Sequence, residues 1–343
     1  MPTFDTIKIL TNIDTLTSFD DVKFIDKGDH NFGTKNGHRI DQFKVQNIGY
    51  GINELKVDMV KSEVTMRLSG KVLKSDYAKG ISTSTFERVI DEVNKTGFIH
   101  LDTSKLYNEG QVLSVDVVDH IDITDQYYSR LAKVPFGKMY DTTSYSTSRN
   151  EGIVISGKHK TFKCRQIHYD KLKDLTKDTT NRKFMTDYGV NFMKSFTGKV
   201  RIETNMTSFK TIRDYLTNDK STGAPSITGA PSIKQVFEST TKPNFRMFGK
   251  MTSSVQLNML SLFDQYESMT LWHELKLRGI RGIIDDLGRD WSTIERYIKH
   301  RSKHNYRRYR KEFKQVYMDM TERKTDYSQN IVEYITCELS KCA

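Results

Sequence analysis

A change of period divides this chain and limits what it can fold into. Through the first two hundred or so residues, apolar side chains recur at every second position, in runs at Thr6–Ile13, Gln42–Ile48, Leu55–Val60, Glu63–Leu73, Val112–Ile123, Gly152–Ser156, Thr161–Lys171 and Lys199–Met206. Successive side chains of a strand point to opposite faces, so these runs predict half-buried strands of a largely antiparallel sheet. A helix interrupts them, with Ser84 or Thr85 as N-cap, an apolar stripe of Phe86, Val89, Ile90 and Val93, and a stop at Gly97. A second helix is expected near Asn205–Leu216.

Farther along, the period becomes helical. Val255, Met259, Leu262, Phe263, Tyr266 and Met269 recur at three and four spacing, and a next helix runs through Ile280, Ile283 and Leu287 to a turn at Gly288. Ser292 then reads as the N-cap of one long basic helix from Thr293 to about Lys314. Between the two regimes, Asn218–Phe245 holds three of the five prolines and repeats GAPSI at Gly223–Ile227 and Gly229–Ile233, the composition of a flexible linker. The expected class is α+β: an antiparallel sheet with packed helices over 1–217, a linker over 218–246, and a smaller all-α basic domain over 247–343.

Composition narrows the partner. A formal charge of +11 draws a protein to polyanions, and Lys299, Arg301, Lys303, Arg307, Arg308, Arg310, Lys311 and Lys314 crowd one segment, interleaved with Tyr297, Tyr306, Tyr309 and Phe313. Helix, glycine turn and capped basic helix outline a helix-turn-helix module whose cations reach DNA phosphates; a basic helix that is merely solvated has the same outline. Cys164, Cys337 and Cys342 are too few and too oddly spaced for a disulfide framework or a four-ligand zinc site. No run approaches the roughly 18 apolar residues of a membrane span, and MPTFDTIKIL does not read as a signal peptide, so a cytoplasmic protein without a membrane partner is expected.

Chemistry concentrates in three strands. In Lys163–Lys173 a strand would direct Lys163, Arg165, Ile167, Tyr169 and Lys171 to one face, a phenol among cations. This suits attack on a phosphodiester; it also suits a surface strand with a basic edge and a half-buried ring. In Val112–Ile123, Leu113, Val115, Val117, Ile121 and Ile123 make a core face, and Ser114, Asp116, Val118, His120 and Asp122 a polar one. Asp119 falls on the apolar parity and fits only with a bulge. Arg201 and Glu203 share a face of the third strand. If these strands are neighbours, Asp116, His120 and Glu203 offer oxygen ligands and one imidazole, a set suited to Mg²⁺ or Mn²⁺ beside Tyr169. Walker-type loops, G-x-S-x-G, H-E-x-x-H, C-x-x-C and His-x-His pairs are all missing from the sequence.

Four blocks in order, SGKVLKSD (Ser69–Asp76), VLSVDVVD (Val112–Asp119), RQIHYDKLKDL (Arg165–Leu175) and GKVRIETNM (Gly198–Met206), resemble the gene II replication initiators of filamentous phages and the related plasmid rolling-circle initiators. The resemblance covers residues 50 to 215 or so; it departs at Ser114-Val115, where the family has Arg-Ile, and the C-terminal half matches only loosely. It implies that Tyr169 is the residue joined to DNA, with Asp116 and Glu203 at the family's acidic positions. The expected activity is nicking of origin DNA in a bacterial host cell, giving a 5′-phosphotyrosine and a free 3′ hydroxyl for the host polymerase and helicase, followed by strand rejoining. Lys171 and Arg165 would stabilise the phosphoryl oxygens. A relaxase for plasmid mobilisation and a non-enzymatic helix-turn-helix regulator are the rival readings.

Overall fold

The computed structural model describes residues 2–124, 126–134, 136, 139–144, 152–158, 164–177, 179–217, 229–253, 276, 279–280, 282–284, 286–288, 290–302, 304–321 and 327–342. These confirm an α+β protein. The strands are β1 (Phe4–Asn12), β2 (Leu16–Phe19), β3 (Asp29–Lys35), β4 (His38–Ile48), β5 (Ile52–Asp58), β6 (Glu63–Ser69), β7 (Ile99–Leu101), β8 (Gln111–Asp122), β9 (Tyr140–Ser144), β10 (Gly152–Gly157), β11 (Cys164–Tyr169) and β12 (Lys199–Met206). Ten of them form one sheet in the order β3-β4-β5-β6-β1-β8-β12-β11-β10-β9, with every pair antiparallel. Strands β2 and β7 form a separate pair.

The helices of this region are α1 (Asp21–Lys27), α2 (Phe86–Asn94), α3 (Thr103–Glu109), α4 (Tyr127–Leu131), α5 (Lys171–Leu175), α6 (Thr179–Phe196), α7 (Phe209–Leu216) and α8 (Ile233–Phe237). Two layers of side chains follow from the pleat. On one face of the sheet Ile7, Val115, Val117, Ile121, Val200, Ile202 and Met206 are buried. The ring of Phe237 in α8 packs on Phe4 at 5.1 Å and on Phe86 of α2 at 5.2 Å. The other face carries the polar positions of the three predicted strands, and α5 and α6 pack over its β12 portion. A 3-10 segment, Gly70–Lys79, runs beside them. Gly51 lets that segment approach: a Cβ there would fall 2.2 Å from the Val72 nitrogen, and its φ of +84° already disfavours other residues.

Two compact units divide the chain elsewhere than predicted. The first holds 1–132, 138–251 and the residues from Ile335 on; the second holds 133–137 and 252–334. Residues 229–251 are therefore part of the sheet unit, not a linker. Val112 N–H donates to the Pro231 carbonyl at 2.9 Å, Ile233 N–H donates to the Gly110 carbonyl at 2.8 Å, and Ser232 and Gln235 close a capping box on α8. Proline and serine here cap and enter a helix, roles that share a composition with flexible linkers. Residues 218–228 and the apolar stripe at 255–269 lie outside the described residues.

A helix over 243–253 follows, and Asn244, fully buried, ties it to the sheet. Its amide donates to Asp119 Oδ2 at 2.8 Å and to the Val117 carbonyl at 3.3 Å, while its Oδ1 accepts from Thr204. Asp119 thus sits on the core parity without a bulge, opposite Ile202 in an unbroken ladder, because Asn244 supplies its partner. Burial first, opposed by that hydrogen bond, pushes the Asp119 carboxyl up to about 6. Asn244→Ala leaves Asp119 and Thr204 buried without this partner, and is expected to cost about 2–4 kcal/mol in urea unfolding monitored by circular dichroism.

Candidate active site

Strand β12 is the spine of the site. Across it, Tyr169, Arg201 and His120 stand directly opposite one another on β11, β12 and β8; the next row is Ile167, Glu203 and Val118, and the next Arg165, Asn205 and Asp116. Tyr169, Arg201, Glu203, His120 and Asp116 therefore share one face, as their parity predicts. Strand β11 stops at Tyr169 because Asp170 caps α5, accepting from Lys173 N–H at 3.2 Å. Lys171, predicted as a strand residue, is the first residue of that helix. It still reaches the phenol by turning back from the helix start.

The phenol oxygen of Tyr169 is held from two sides. It donates to Glu203 Oε2 at 2.9 Å and accepts from Lys171 Nζ at 3.3 Å. Lys171 also meets Asp174 at 3.2 Å and Asp5 at 3.9 Å. Arg201, 2% exposed, pairs with Asp5 at 3.1 Å and donates to the Tyr77 hydroxyl at 3.1 Å, and that hydroxyl donates to Asp5 at 3.0 Å. Five chain segments thus meet in one buried hydrogen-bonded cluster.

Its electrostatics follow from burial and mixed charge. Burial alone would raise the Asp5 carboxyl, but Arg201, Lys171 and the Tyr77 hydrogen bond outweigh it and hold Asp5 well below the usual range. Glu203 goes the other way: burial, then the charges of Asp5 and Asp116, push it up to about 7 against Arg201 and Lys171. Burial likewise raises the Tyr169 phenol well above 10, Lys171 notwithstanding, so it is protonated at neutral pH. His120 is lowered to about 3 by burial and by Arg201 and is neutral; its Nε2 is buried with no hydrogen-bond partner among the described residues.

Two predicted roles need correction. Arg165 is exposed at the far end of β11, four residues and about 13 Å along the strand from Tyr169, so it is not beside the phenol. Arg201 is the guanidinium of the cluster. The metal set also fails to converge, since Asp116 and His120 are four residues apart on β8 and Glu203 lies on the row between them. Asp116 accepts from the Asn205 amide and Glu203 from Tyr169, and among the described residues no group of three His, Cys, Asp or Glu side chains is placed to hold a metal ion.

Asp5 and Tyr77 belong to the cluster and are not evident in the sequence. Pairing of β1 with β8 slips by one residue between Phe4 and Thr6, so Asp5 sits in a bulge that frees it from strict alternation. Tyr77 follows the SGKVLKSD block by one residue, which was the available signal. His168, on the opposite parity, has a structural place: its Nδ1 meets the Tyr127 hydroxyl at 2.7 Å and its Nε2 meets Gln166 Oε1 at 2.9 Å, all within the core.

Above the site lies an aromatic cover. Tyr77 packs edge-on against Phe184 at 5.4 Å, Phe192 at 5.3 Å and Phe196 at 5.8 Å, with Leu175 completing the cluster. Tyr169 beneath is 3% exposed.

In the second unit, the described elements are helices. They include α9 (Trp291–Arg301) and α10 (Tyr306–Thr321), while α11 (Tyr327–Lys341) begins there. The single basic helix predicted from Thr293 breaks at Ser302, whose N–H and hydroxyl both bond the Ile298 carbonyl, and Asp290, not Ser292, is the N-cap. Ile294, Ile298, Phe313 and Val316 form a core with Ile280 and Ile284. The opposite face of α10 exposes Arg307, Arg308, Lys311 and Lys314; Lys299 and Arg301 are exposed at the end of α9. Arg310 is turned to Glu295, and Arg308 reaches Glu312 at 3.4 Å. Lys303 lies outside the described residues.

In comparison with known proteins, the chain matches no family model and no curated relative. Among the described residues no helix is long and apolar enough to cross a membrane.

Proposed function

We propose that the sheet unit cuts and rejoins a DNA strand through Tyr169, and that the second unit holds duplex DNA through α10, as a replication initiator of a small phage or plasmid genome does. The observation that supports it is the phenol oxygen of Tyr169 set between Glu203 at 2.9 Å and Lys171 at 3.3 Å, with Arg201 in the next strand. A phosphoryl group entering there meets a nucleophile and two buried cations, fixed donors for the charge that builds on its oxygens. The phenol gives up its proton as its oxygen bonds to phosphorus, the bond to the 3′ oxygen breaks with its electron pair on that oxygen, and the 3′ oxygen takes a proton from water. A phosphotyrosine keeps the energy of the broken bond, so a free 3′ hydroxyl can reverse the step and rejoin the strand.

Access sets a condition. At 3% exposure the phenol meets DNA only when the side chains that cover it move aside. That burial favours one second reading, a DNA-binding regulator in which the cluster only stabilises the sheet. Incubation with supercoiled origin DNA and Mg²⁺ or Mn²⁺ separates them: a covalent protein–DNA adduct is the result expected of the nucleophile, and its absence leaves the regulator.

For the duplex-binding unit, phosphate contacts are expected from the cations of α10 that no acid holds among the described residues. Arg307→Ala and Lys311→Ala should each reduce the slope of log affinity against log salt by about 0.9, the effect of losing one phosphate contact. Arg310→Ala, whose guanidinium is spent on Glu295, should leave the slope unchanged. Filter binding across a salt series reads both.

A further inference from the structure

Resting on that reading, we infer that Glu203 is the general base that takes the phenolic proton of Tyr169, so that nucleophile activation is built into the protein. The geometry is direct. The only proton on the phenol points at Glu203 Oε2, 2.9 Å away, and the base need not move to receive it. Lys171 stands on another side of the same oxygen and donates to it, so it cannot accept the proton; Arg201 carries its own positive charge to Asp5 and Tyr77. His120, in the same row as Tyr169, has Arg201 between it and the phenol.

Need and capacity also match. The phenol is protonated at neutral pH because burial raises it, so attack requires an acceptor. The Glu203 carboxyl, facing Asp5, Asp116, Arg201, Lys171 and Tyr169, is raised by burial and by the two carboxylates to about 7, which makes it a stronger base than an ordinary carboxylate. In the step, Oε2 gains the proton as the phenol oxygen bonds to phosphorus; the electron pair of the broken P–O bond leaves on the 3′ oxygen, which is protonated from water, and Glu203 returns its proton to water.

The test compares adduct formation by the full chain on origin DNA. Glu203→Gln keeps the shape and a hydrogen-bond acceptor but no basic site, and the rate should fall by about 10²–10⁴. Placing a fluorinated tyrosine, whose more acidic phenol needs less help, at position 169 of Glu203→Gln should then restore most of the rate. A native rate in Glu203→Gln, or a slow rate that the fluorinated phenol does not raise, overturns the role of Glu203. An adduct that survives Tyr169→Phe overturns the nucleophile itself, so the two failures are distinct.

Discussion

Tyr169→Phe is expected to form no covalent adduct with origin DNA, a loss on the order of 10⁴-fold or more, while the chain stays folded and its affinity for duplex DNA is unchanged. The substitution removes one oxygen. Glu203 and Lys171 lose a partner each, for a stability cost of about 1–3 kcal/mol. The sheet unit should tolerate this, because Lys171 keeps Asp174 and Asp5. Denaturing gel electrophoresis with end-labelled DNA reads the adduct, and circular dichroism reads the fold. A regulator whose tyrosine is only structural predicts no adduct for either chain.

The largest effect on stability is expected from Arg201→Ala. Arg201 is among the largest fully buried side chains of the described residues, and its removal leaves Asp5 as a largely buried carboxylate with Lys171 at 3.9 Å and the charge of Lys71 as remaining cations. Breaking a buried pair on one side costs about 3–5 kcal/mol, because the orphaned charge stays out of water. The Asp5→Leu, Arg201→Met double variant should recover much of that loss, a non-additivity that a double-mutant cycle in urea measures. The pH dependence gives an independent check. Asp5 is held below its unfolded value, so the stability it contributes is complete above about pH 4 and is lost as the pH falls through the folded value. In Arg201→Ala that acid-side loss should shrink.

Parity along single strands was legible, and pairing between strands was not. Alternation in Lys199–Met206 located β12 to the residue, and the shared face of Tyr169, Arg201, Glu203, Asp116 and His120 followed from counting by twos. Choosing Arg165 over Arg201 was an error of register: both have the right parity, and only the ladder tells which row a side chain occupies. Asp5 escaped because a bulge suspends the alternation on which the reading depends. Lys171 was placed in a strand although Asp170, an ordinary N-cap residue, stood before it. The segment from 229 to 246 misled by composition, since Gly, Pro and Ser serve caps and turns as well as linkers.

The order of strands in the sheet sets when this chemistry can exist. Strand β8 joins β1 to β12, and β12 joins β8 to β11, so Asp5 and Arg201 meet across about 200 residues of sequence. Tyr169 is synthesised 34 residues before Glu203. A partly synthesised chain, or one cut short before β12, carries the phenol without Arg201 or Glu203. On the proposed reading, such a chain lacks both the base and the buried guanidinium of the cutting step, so cutting waits on the whole sheet.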